Sequence, residues 1–352
     1  MDEEAGEVTV AAGVPQRMLL EYLSEYKYGS QPEGWGLPAF SWFVDQTIGG
    51  AVATGTHGSS FQHGSLSSQV TSLRLLLANG TIVDVSPSTY PHLFDAAGVS
   101  VGRLGVITDL TLKIKPQQAV TRNLEEMDLE TFAKQVQKAQ EAYVKALQSG
   151  NVTAQKQALA PLDETPAFWH VLPNVVWRTD YDYKEKDDED VQLNATLNET
   201  IGTIDLKEYP DTKFNTNNTR LPVFKQSDVE SIPKEEDILI NPENWGRQYL
   251  FTMRGVVTPG TFDASNTFVR LSVQDSENSG SLDPYNQYEV AVPMERAGDC
   301  LLQVNDLVYG KNLSFGFRPP VLIRFVSGEP FYLSPSNGGP VMYGVSLSSY
   351  CV

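Results

Sequence analysis

Cysteine, histidine and positive charge are all scarce in this sequence. Its 352 residues contain two cysteines, Cys300 and Cys351, and four histidines. Two cysteines exclude a disulfide framework and a cysteine-rich zinc site, and the histidines show no ligand spacing, so we expect no metal. Lysine and arginine number 26 against 44 acidic residues, which gives a net charge of -18. Nucleic acid and anionic membrane surfaces are therefore not expected as partners, because both require a basic patch.

Long apolar runs are missing as well. No stretch reaches the roughly 20 apolar residues of a transmembrane helix. The opening MDEEAGEV has neither the basic nor the apolar region of a signal peptide. We therefore expect the chain as given to be soluble and untargeted. Asn-x-Ser/Thr motifs nevertheless indicate a secretory, glycosylated ancestry, and they begin at Asn79, Asn151, Asn194, Asn198, Asn217 and Asn312.

Glycine is concentrated in one stretch, TIGGAVATGTHGSS, from Thr47 to Ser60. Thr47 is a good N-cap residue, and Gly49 and Gly50 would then place free N–H groups in a first turn that favours an anion such as phosphate. The second half predicts a loop whose amides and hydroxyls can follow a flat polar ring. Spacing alone leaves open the alternative of a plain glycine-rich turn between two core elements.

Apolar residues make up 41% of the chain, which is enough for two domains with real cores. The first part alternates strand and helix patterns and forms an α+β unit of about 115 residues that ends at Pro116. Its predicted elements are a strand at Val8–Ala12, a helix burying Met18, Leu19, Tyr22 and Leu23, a hairpin at Asn79-Gly80, a helix at Tyr90–Ala97 and a strand at Leu104–Ile114.

The second part predicts an antiparallel sheet with helices on one face. Tyr181–Ile240 is acidic with little hydrophobic period, so we predict a solvated insertion or partly disordered loop there, with order returning at Arg247–Val257. The predicted helices are Asp128–Gln148 and one after Pro293 that buries Ala297, Leu301, Val304 and Val308. The predicted strands are Phe168–Arg178, Tyr285–Val292, Pro320–Val326, Tyr332-Leu333 and Val341–Leu347.

TIGGAVATGTHGSS resembles the flavin-contacting segment of the sugar-lactone oxidases, which act on L-gulono-1,4-lactone or D-arabinono-1,4-lactone and belong to the vanillyl-alcohol-oxidase type of FAD proteins. VTVAAGVPQRMLLEYL and VGRLGVITDLTLKIKP resemble the segments that flank it. The resemblance implies an α+β fold class. It places the second half of a PCMH-type FAD-binding domain at 1–117 and an α+β substrate (cap) domain with an antiparallel sheet at 118–352, including an acidic insertion at about 181–240.

The same resemblance implies a set of FAD contacts. For His57 the alternative is a histidine satisfied by local backbone hydrogen bonds, and for His63 we expect an ordinary surface position. The implied contacts are Thr47 and Gly50 near the diphosphate, Gly55, Thr56, His57 and Gly58 along the isoalloxazine ring, and Val106 at the adenine.

Arg324, within PVLIRFV, matches the family arginine that points at the bound sugar. Strand alternation predicts that it faces away from Ile323 and Phe325, toward the glycine-rich loop. An arginine in an apolar strand needs a partner because its desolvation is costly, and Glu289 is the candidate. Arg324 and Glu289 are the predicted catalytic residues, and a structural ion pair is the alternative. Many family members carry a glutamate two residues before this arginine, where this chain has Leu322.

The implied reaction is FAD-dependent oxidation of an aldono-1,4-lactone by molecular oxygen, which gives an ascorbate-type product and hydrogen peroxide. Family members carry a Gly-x-Gly-His-Ser loop upstream and a terminal His-Trp motif. Neither occurs between Met1 and Val352, so we expect a fragment trimmed at both ends. A non-catalytic binding protein of the same fold and an alditol or oligosaccharide oxidase are the alternatives. For the full-length protein we expect a secretory or membrane-associated location.

Overall fold

The computed structural model describes residues 1–26, 31–41, 46–171, 174–185, 260–263, 286–311 and 321–348. These residues form two larger antiparallel sheets, one built before and one after residue 117. The fold class is therefore α+β, as predicted. The predicted division into domains at 117/118 stays a prediction.

The first sheet and a short two-stranded ladder use the first six strands. The sheet has the order β1-β5-β3-β4, and β2 pairs with β6. Three helices pack with this sheet around a single apolar core. The strands are β1 (Glu7–Ala11), β2 (Trp35–Gly36), β3 (Val70–Leu76), β4 (Ile82–Val85), β5 (Val106–Lys113) and β6 (Lys115–Pro116), and the helices are α1 (Gln16–Glu25), α2 (Ile48–Ala53) and α3 (Pro91–Ala97).

The apolar face of α1 differs from the predicted one. Leu19, Leu20 and Leu23 are buried, whereas Met18 and Tyr22 are 59% and 50% exposed. Both the predicted set with Met18 and Tyr22 and the observed set with Leu20 have helical spacing. Successive residues are only 100° apart around the helix axis, so the two sets form overlapping faces. Packing against the sheet selects the stripe that contains Leu20, so the prediction was wrong for Met18 and Tyr22.

The hairpin predicted at Asn79-Gly80 is confirmed. It joins β3 to β4, and Gly80 takes φ +84°, a left-handed conformation that glycine adopts without strain. The Asn79 side-chain oxygen accepts from the backbone N–H of Thr81 at 2.9 Å, which explains the asparagine without any modification.

The second sheet has seven strands among the described residues, in the order β10-β7-β9-β8-β12-β13-β11, all antiparallel. Because side chains alternate along each strand, Ile323 and Phe325 face the helices while Arg324 faces the other side. The strands are β7 (Gln118–Met127), β8 (Ala167–His170), β9 (Val175–Glu185), β10 (Gly260–Asp263), β11 (Asn286–Pro293), β12 (Val321–Val326) and β13 (Val341–Ser348).

Helices cover one face of this sheet, as predicted. They are α4 (Leu129–Gln148), α5 (Val152–Leu159) and α6 (Ala297–Asn305), and they share one apolar cluster with the sheet. Asp128 caps α4 by accepting from Thr131 N at 2.7 Å. Asn151, one of the acceptor motifs, caps α5 by accepting from Ala154 N at 3.0 Å.

Three predictions about strands and loops need correction. Residues 181–185 belong to β9 rather than to a solvated insertion, because Tyr181 and Tyr183 alternate with charged residues and pair with β7. The predicted strand 168–178 is two strands that pair with each other. Tyr332-Leu333 is an exposed turn. The remaining insertion residues 186–240 and the segment Arg247–Val257 lie outside the described residues.

Candidate active site

The glycine loop, residues 54–60, connects α2 to the second sheet. Gly55 has φ +66°, which requires glycine for an unstrained backbone. Thr56 N donates to Ala51 O at 2.9 Å, and Thr56 O accepts from Leu66 N at 3.0 Å. Hydrogen bonds on both sides therefore fix the conformation of the loop.

The far end of this loop continues the sheet beside β12. Phe325 N donates to Ser59 Oγ at 3.1 Å, and Ser327 N donates to Ser60 O at 3.2 Å. Pairing of β8 with β12 ends at Ile323, so the loop satisfies backbone groups of β12 that β8 does not reach. This attachment brings the glycine loop onto the side of the sheet that the helices leave open.

The start of α2 does not provide the free amides that the sequence predicts. Gly49 N donates to Ala12 O at 2.8 Å, and Gly50 N donates to the Thr47 side chain at 3.3 Å. A Cβ atom on Gly49 would lie 2.5 Å from the Ala12 Cβ, so this glycine permits close packing against the end of β1. The expectation of free donors was wrong, because the Gly49 amide joins α2 to the end of β1 and the Thr47 cap occupies the Gly50 amide. The contacts of Thr47 and Gly50 with FAD stay predictions.

His57 links the glycine loop to the second sheet. Its Nδ1 lies 2.9 Å from Gly58 O and its Nε2 lies 3.1 Å from Glu289 Oε1. The ring also stacks on Tyr343, with centroids 4.1 Å apart and planes 21° apart. Each ring nitrogen therefore has a hydrogen-bond partner, one from the loop backbone and one from β11. The local-backbone alternative accounts for only one nitrogen.

Arg324 meets the same loop from β12. Its Nη1 donates to His57 O at 2.9 Å, which is the face that strand alternation predicts. Burial lowers the pKa of Arg324 to about 10, although the negative charge of Glu289 and the electrostatic interaction with Tyr181 oppose the shift. Burial also raises the pKa of Glu289, but the hydrogen bond from His57 and the charges of His57 and Arg324 outweigh it and leave that pKa lowered. Arg324 and Glu289 are thus both charged at neutral pH.

Glu289 places a carboxylate in the same row of paired residues across the sheet as Leu322. Leu322 pairs with Val345 of β13, and Val345 pairs with Glu289 of β11. The three residues therefore lie side by side across the sheet, two residues along from Arg324. The carboxylate that many family members carry at the position of Leu322 is therefore present two strands away, at Glu289.

A cleft of about 80 Å³ opens between the glycine loop and β9. Small residues form one wall and tyrosines the other, which leaves room for a flat polar group. The cleft is lined by Pro38, Ala39, Phe40, Gly58, Ser59, Ser60, Gly64, Glu164, Pro166, Tyr181 and Tyr183.

Glu164 is the acidic residue among those that line this cleft. Burial raises its pKa to about 7, in spite of hydrogen bonds from Tyr183 and Ser60 and the positive charge of Lys115, while the negative charge of Asp163 adds to the rise. Its backbone has φ +52°, an uncommon conformation for a residue with a side chain. Strain of this kind persists where the surroundings fix a residue in place.

Sequence reasoning missed Asp163, Glu164, Tyr181 and Tyr183. The tyrosines stand in the acidic DYDYKE run, whose charge predicts a solvated insertion. Within that run, however, tyrosines alternate with charged residues. That alternation was the available signal for a strand with tyrosines on one face. The Asp-Glu pair lies in a short connection between a helix and a strand and carries no motif.

The other predicted site residues lie apart from this cluster or differ from expectation. Val106 begins β5 and is 63% exposed, and its contact with adenine stays a prediction. His63 is half-buried rather than an ordinary surface residue. Burial and the charge of Lys115 lower its pKa to about 4, partly offset by Asp163.

Within the described ranges, His, Cys, Asp and Glu side chains form no group of three that could hold a metal ion. None of the helices in those ranges combines the length and the apolarity needed to cross a membrane.

Residues 1–86 match the family described as FAD binding domain. A D-arabinono-1,4-lactone oxidase from Yarrowia lipolytica is 34% identical over 129 residues, which are 37% of this chain and 23% of that protein. An L-gulonolactone oxidase from Bos taurus is 39% identical over 117 residues, 33% of this chain and 25% of that protein. The matched part thus spans about a quarter of these relatives. The resemblance seen in the sequence is confirmed, and FAD is the cofactor that this domain indicates.

The fold also resembles a solved structure. A mutant of the cholesterol oxidase from Brevibacterium sterolicum superposes with a TM-score of 0.62 at 14% sequence identity, covering 97% of this chain and 64% of that one. Identity this low relates the two folds and carries no statement about substrate.

The cleft wall formed by the glycine loop fits a flat cofactor ring. A Cβ atom on Gly58 would lie 3.3 Å from Phe40 O, a tight contact, so glycine allows the loop to pack closely against the backbone at Phe40. Gly58, Ser59 and Ser60 would hold the ring edge with backbone and hydroxyl groups, opposite Tyr181. The described residues therefore fit the isoalloxazine side of FAD.

Proposed function

We propose that this chain is part of an FAD-dependent oxidase that acts on an aldono-1,4-lactone, L-gulono- or D-arabinono-1,4-lactone, with molecular oxygen as acceptor. The observation that carries the proposal is the charged cluster of His57, Glu289 and Arg324, which joins an FAD-domain loop to the open face of the second sheet. The names of the relatives support the substrate class. The chemistry that bound FAD supplies is acceptance of a hydride and transfer of its electrons to oxygen.

The chain's own residues hold and polarise the sugar in this proposal. Arg324 is positively charged at neutral pH and lies close to Tyr181, which lines the cleft. In this proposal the guanidinium group binds the lactone oxygens and offsets negative charge that develops as the hydroxyl proton leaves. Glu289 and His57 hold the arginine and the glycine loop in register.

The test uses the purified chain loaded with FAD. We expect a yellow flavin spectrum, bleaching of that spectrum by lactone without oxygen, and release of peroxide when oxygen returns. Arg324→Ala should slow the bleaching by about a hundredfold or more, because loss of a transition-state donor has that cost. Arg178 is a matched control, since it lies in the same sheet on the helix side, bonded to Asp180 and Gln135. Arg178→Ala should leave the bleaching rate unchanged in folded protein.

Two other results would replace this proposal. Bleaching by open-chain polyols and not by lactones would make the protein an alditol-type oxidase. Bound flavin that neither substrate class reduces would favour a non-catalytic binding protein of the same fold. The secretory or membrane-associated location of the full-length protein is a further proposal, supported by the six acceptor motifs and tested by treating the native protein with a glycosidase.

A further inference from the structure

Glu164 combines three features that a purely structural carboxylate does not need. It lines the cleft directly opposite the glycine loop. It is held in a left-handed backbone conformation. Its carboxyl group lies among hydroxyl groups, those of Tyr183 and Ser60, which leave acceptor capacity for one more donor.

The neighbouring Asp163 fixes the distance between Glu164 and the loop. Its Oδ1 accepts from Phe61 N at 2.6 Å and from Ser60 Oγ at 3.2 Å. These bonds tie the connection between α5 and β8 to the end of the glycine loop. Because Asp163 makes the anchoring contacts, the Glu164 side chain is available to the cleft.

We propose that Glu164 is the proton acceptor of the cleft: its carboxylate accepts a hydrogen bond from a hydroxyl group of a bound sugar lactone or polyol and takes that proton during oxidation. The proton transfer rests on the proposed function. The hydrogen bond to the sugar hydroxyl rests only on the residues that line the cleft. The hydroxyl oxygen gives its proton to Glu164, the carbon loses its hydride to the bound FAD, and the carbon–oxygen single bond becomes a carbonyl. The carboxylate becomes a carboxylic acid, and the two electrons leave the carbon with the hydride.

The charged and titratable groups around Glu164 support this role. Asp163 precedes it in the chain, Lys115 approaches from β6 and Tyr183 from β9. The Lys115 ammonium sits over the Tyr183 ring, 4.6 Å from its centroid, and so holds the tyrosine against the carboxyl group. His63 shares Lys115 and Asp163 as neighbours and is neutral near pH 7, since its pKa is about 4. A carboxyl group with a pKa of about 7 can both bind as an anion and accept a proton at neutral pH.

The experiment measures binding before it measures turnover. L-Gulono-1,4-lactone and sorbitol are titrated calorimetrically into the FAD-loaded chain, one pH unit above and one below the Glu164 pKa of about 7. If only the ionised form binds, affinity of the wild type falls about tenfold on acidification, because the competent fraction falls by that factor. Glu164→Gln should bind more weakly and show no such dependence. In the flavin bleaching assay it should react about a hundredfold or more slowly.

Glu126 offers a matched control. It is also a carboxylate whose pKa burial raises, and it accepts from Trp177 Nε1 at 3.2 Å. Glu126 pairs with Trp177 across the sheet, and neither residue lines the cleft. Glu126→Gln should retain the wild-type pH dependence of binding.

Each outcome decides one of the two proposals. Equal pH dependence in wild type and Glu164→Gln, or no binding of either probe to the wild type, would overturn the role of Glu164. Binding that depends on Glu164 without any flavin bleaching would support the binding carboxylate and overturn the proposed oxidase.

Discussion

Glu329 joins the segment after β12 to the residues that follow the glycine loop, and replacing it should weaken that junction. The side chain is 7% exposed. Its Oε2 accepts from Ser65 Oγ and Ser68 Oγ, each at 2.6 Å, and its Oε1 accepts from Ser334 Oγ. Ser65 lies five residues beyond the loop, so this carboxylate helps to hold one wall of the cleft against the sheet.

The magnitude follows from what Glu329→Ala leaves behind. A hydrogen bond to a charged acceptor contributes about 1.5 to 3 kcal/mol. Three such bonds are opposed by the cost of burying the carboxylate, which is several kcal/mol. Ser334 and Ser336 can still pair with each other, at 3.1 Å, and so recover part of the loss. We expect the free energy of unfolding to fall by about 3 kcal/mol.

Urea unfolding followed by tryptophan fluorescence measures this loss. The midpoint should fall while the slope of the transition stays constant, because the surface exposed on unfolding does not change. Ser68→Ala removes one donor of three and should cost about 1.5 kcal/mol, the lower end of that range. Asp84→Asn removes a surface ion pair with Arg74 and should leave the midpoint unchanged. A cost for Glu329→Ala no larger than that of Ser68→Ala would refute the reasoning.

Other substitutions test single features of the structure. Glu164→Gln should stabilise the chain above pH 7, by up to about 3 kcal/mol in urea unfolding, because a carboxyl whose folded pKa is raised to about 7 destabilises the fold once it must ionise. No gain at pH 8 over pH 5 would contradict this. Burial lowers the pKa of His170 to about 3, so the wild type should lose stability as pH falls from 6.5 toward that value, at up to about 1.4 kcal/mol per pH unit. His170→Phe should remove that part of the slope, and an unchanged slope would refute it. Gly98→Ala would place a Cβ atom 2.2 Å from the Phe331 ring and should cost about 1 to 3 kcal/mol in the same assay, whereas an unaffected midpoint would mean that the ring moves freely. Asp128→Ala should lower the thermal midpoint by removing about 1 kcal/mol of capping of α4, and Asp128→Asn should retain most of it.

The sequence by itself determined the local elements and the faces of the strands. The hairpin at Asn79-Gly80 and the cap at Asp128 follow from the residue types and their spacing. Alternation along β12 placed Arg324 opposite Ile323, and the structure has it there. These features depend on neighbours within a few residues, and such neighbours are what a local pattern encodes.

Only the tertiary structure decided which distant groups meet. His57 and Glu289 are 232 positions apart, and their hydrogen bond depends on how β11 and the glycine loop pack. The amides of Gly49 and Gly50 look free in the sequence, yet packing of α2 against the end of β1 and the Thr47 cap occupies them. Glu164 belongs to no motif, because its raised pKa comes mainly from burial, which depends on what packs around it. A pattern specifies which side chains share a face, whereas desolvation and charge depend on what is packed against that face.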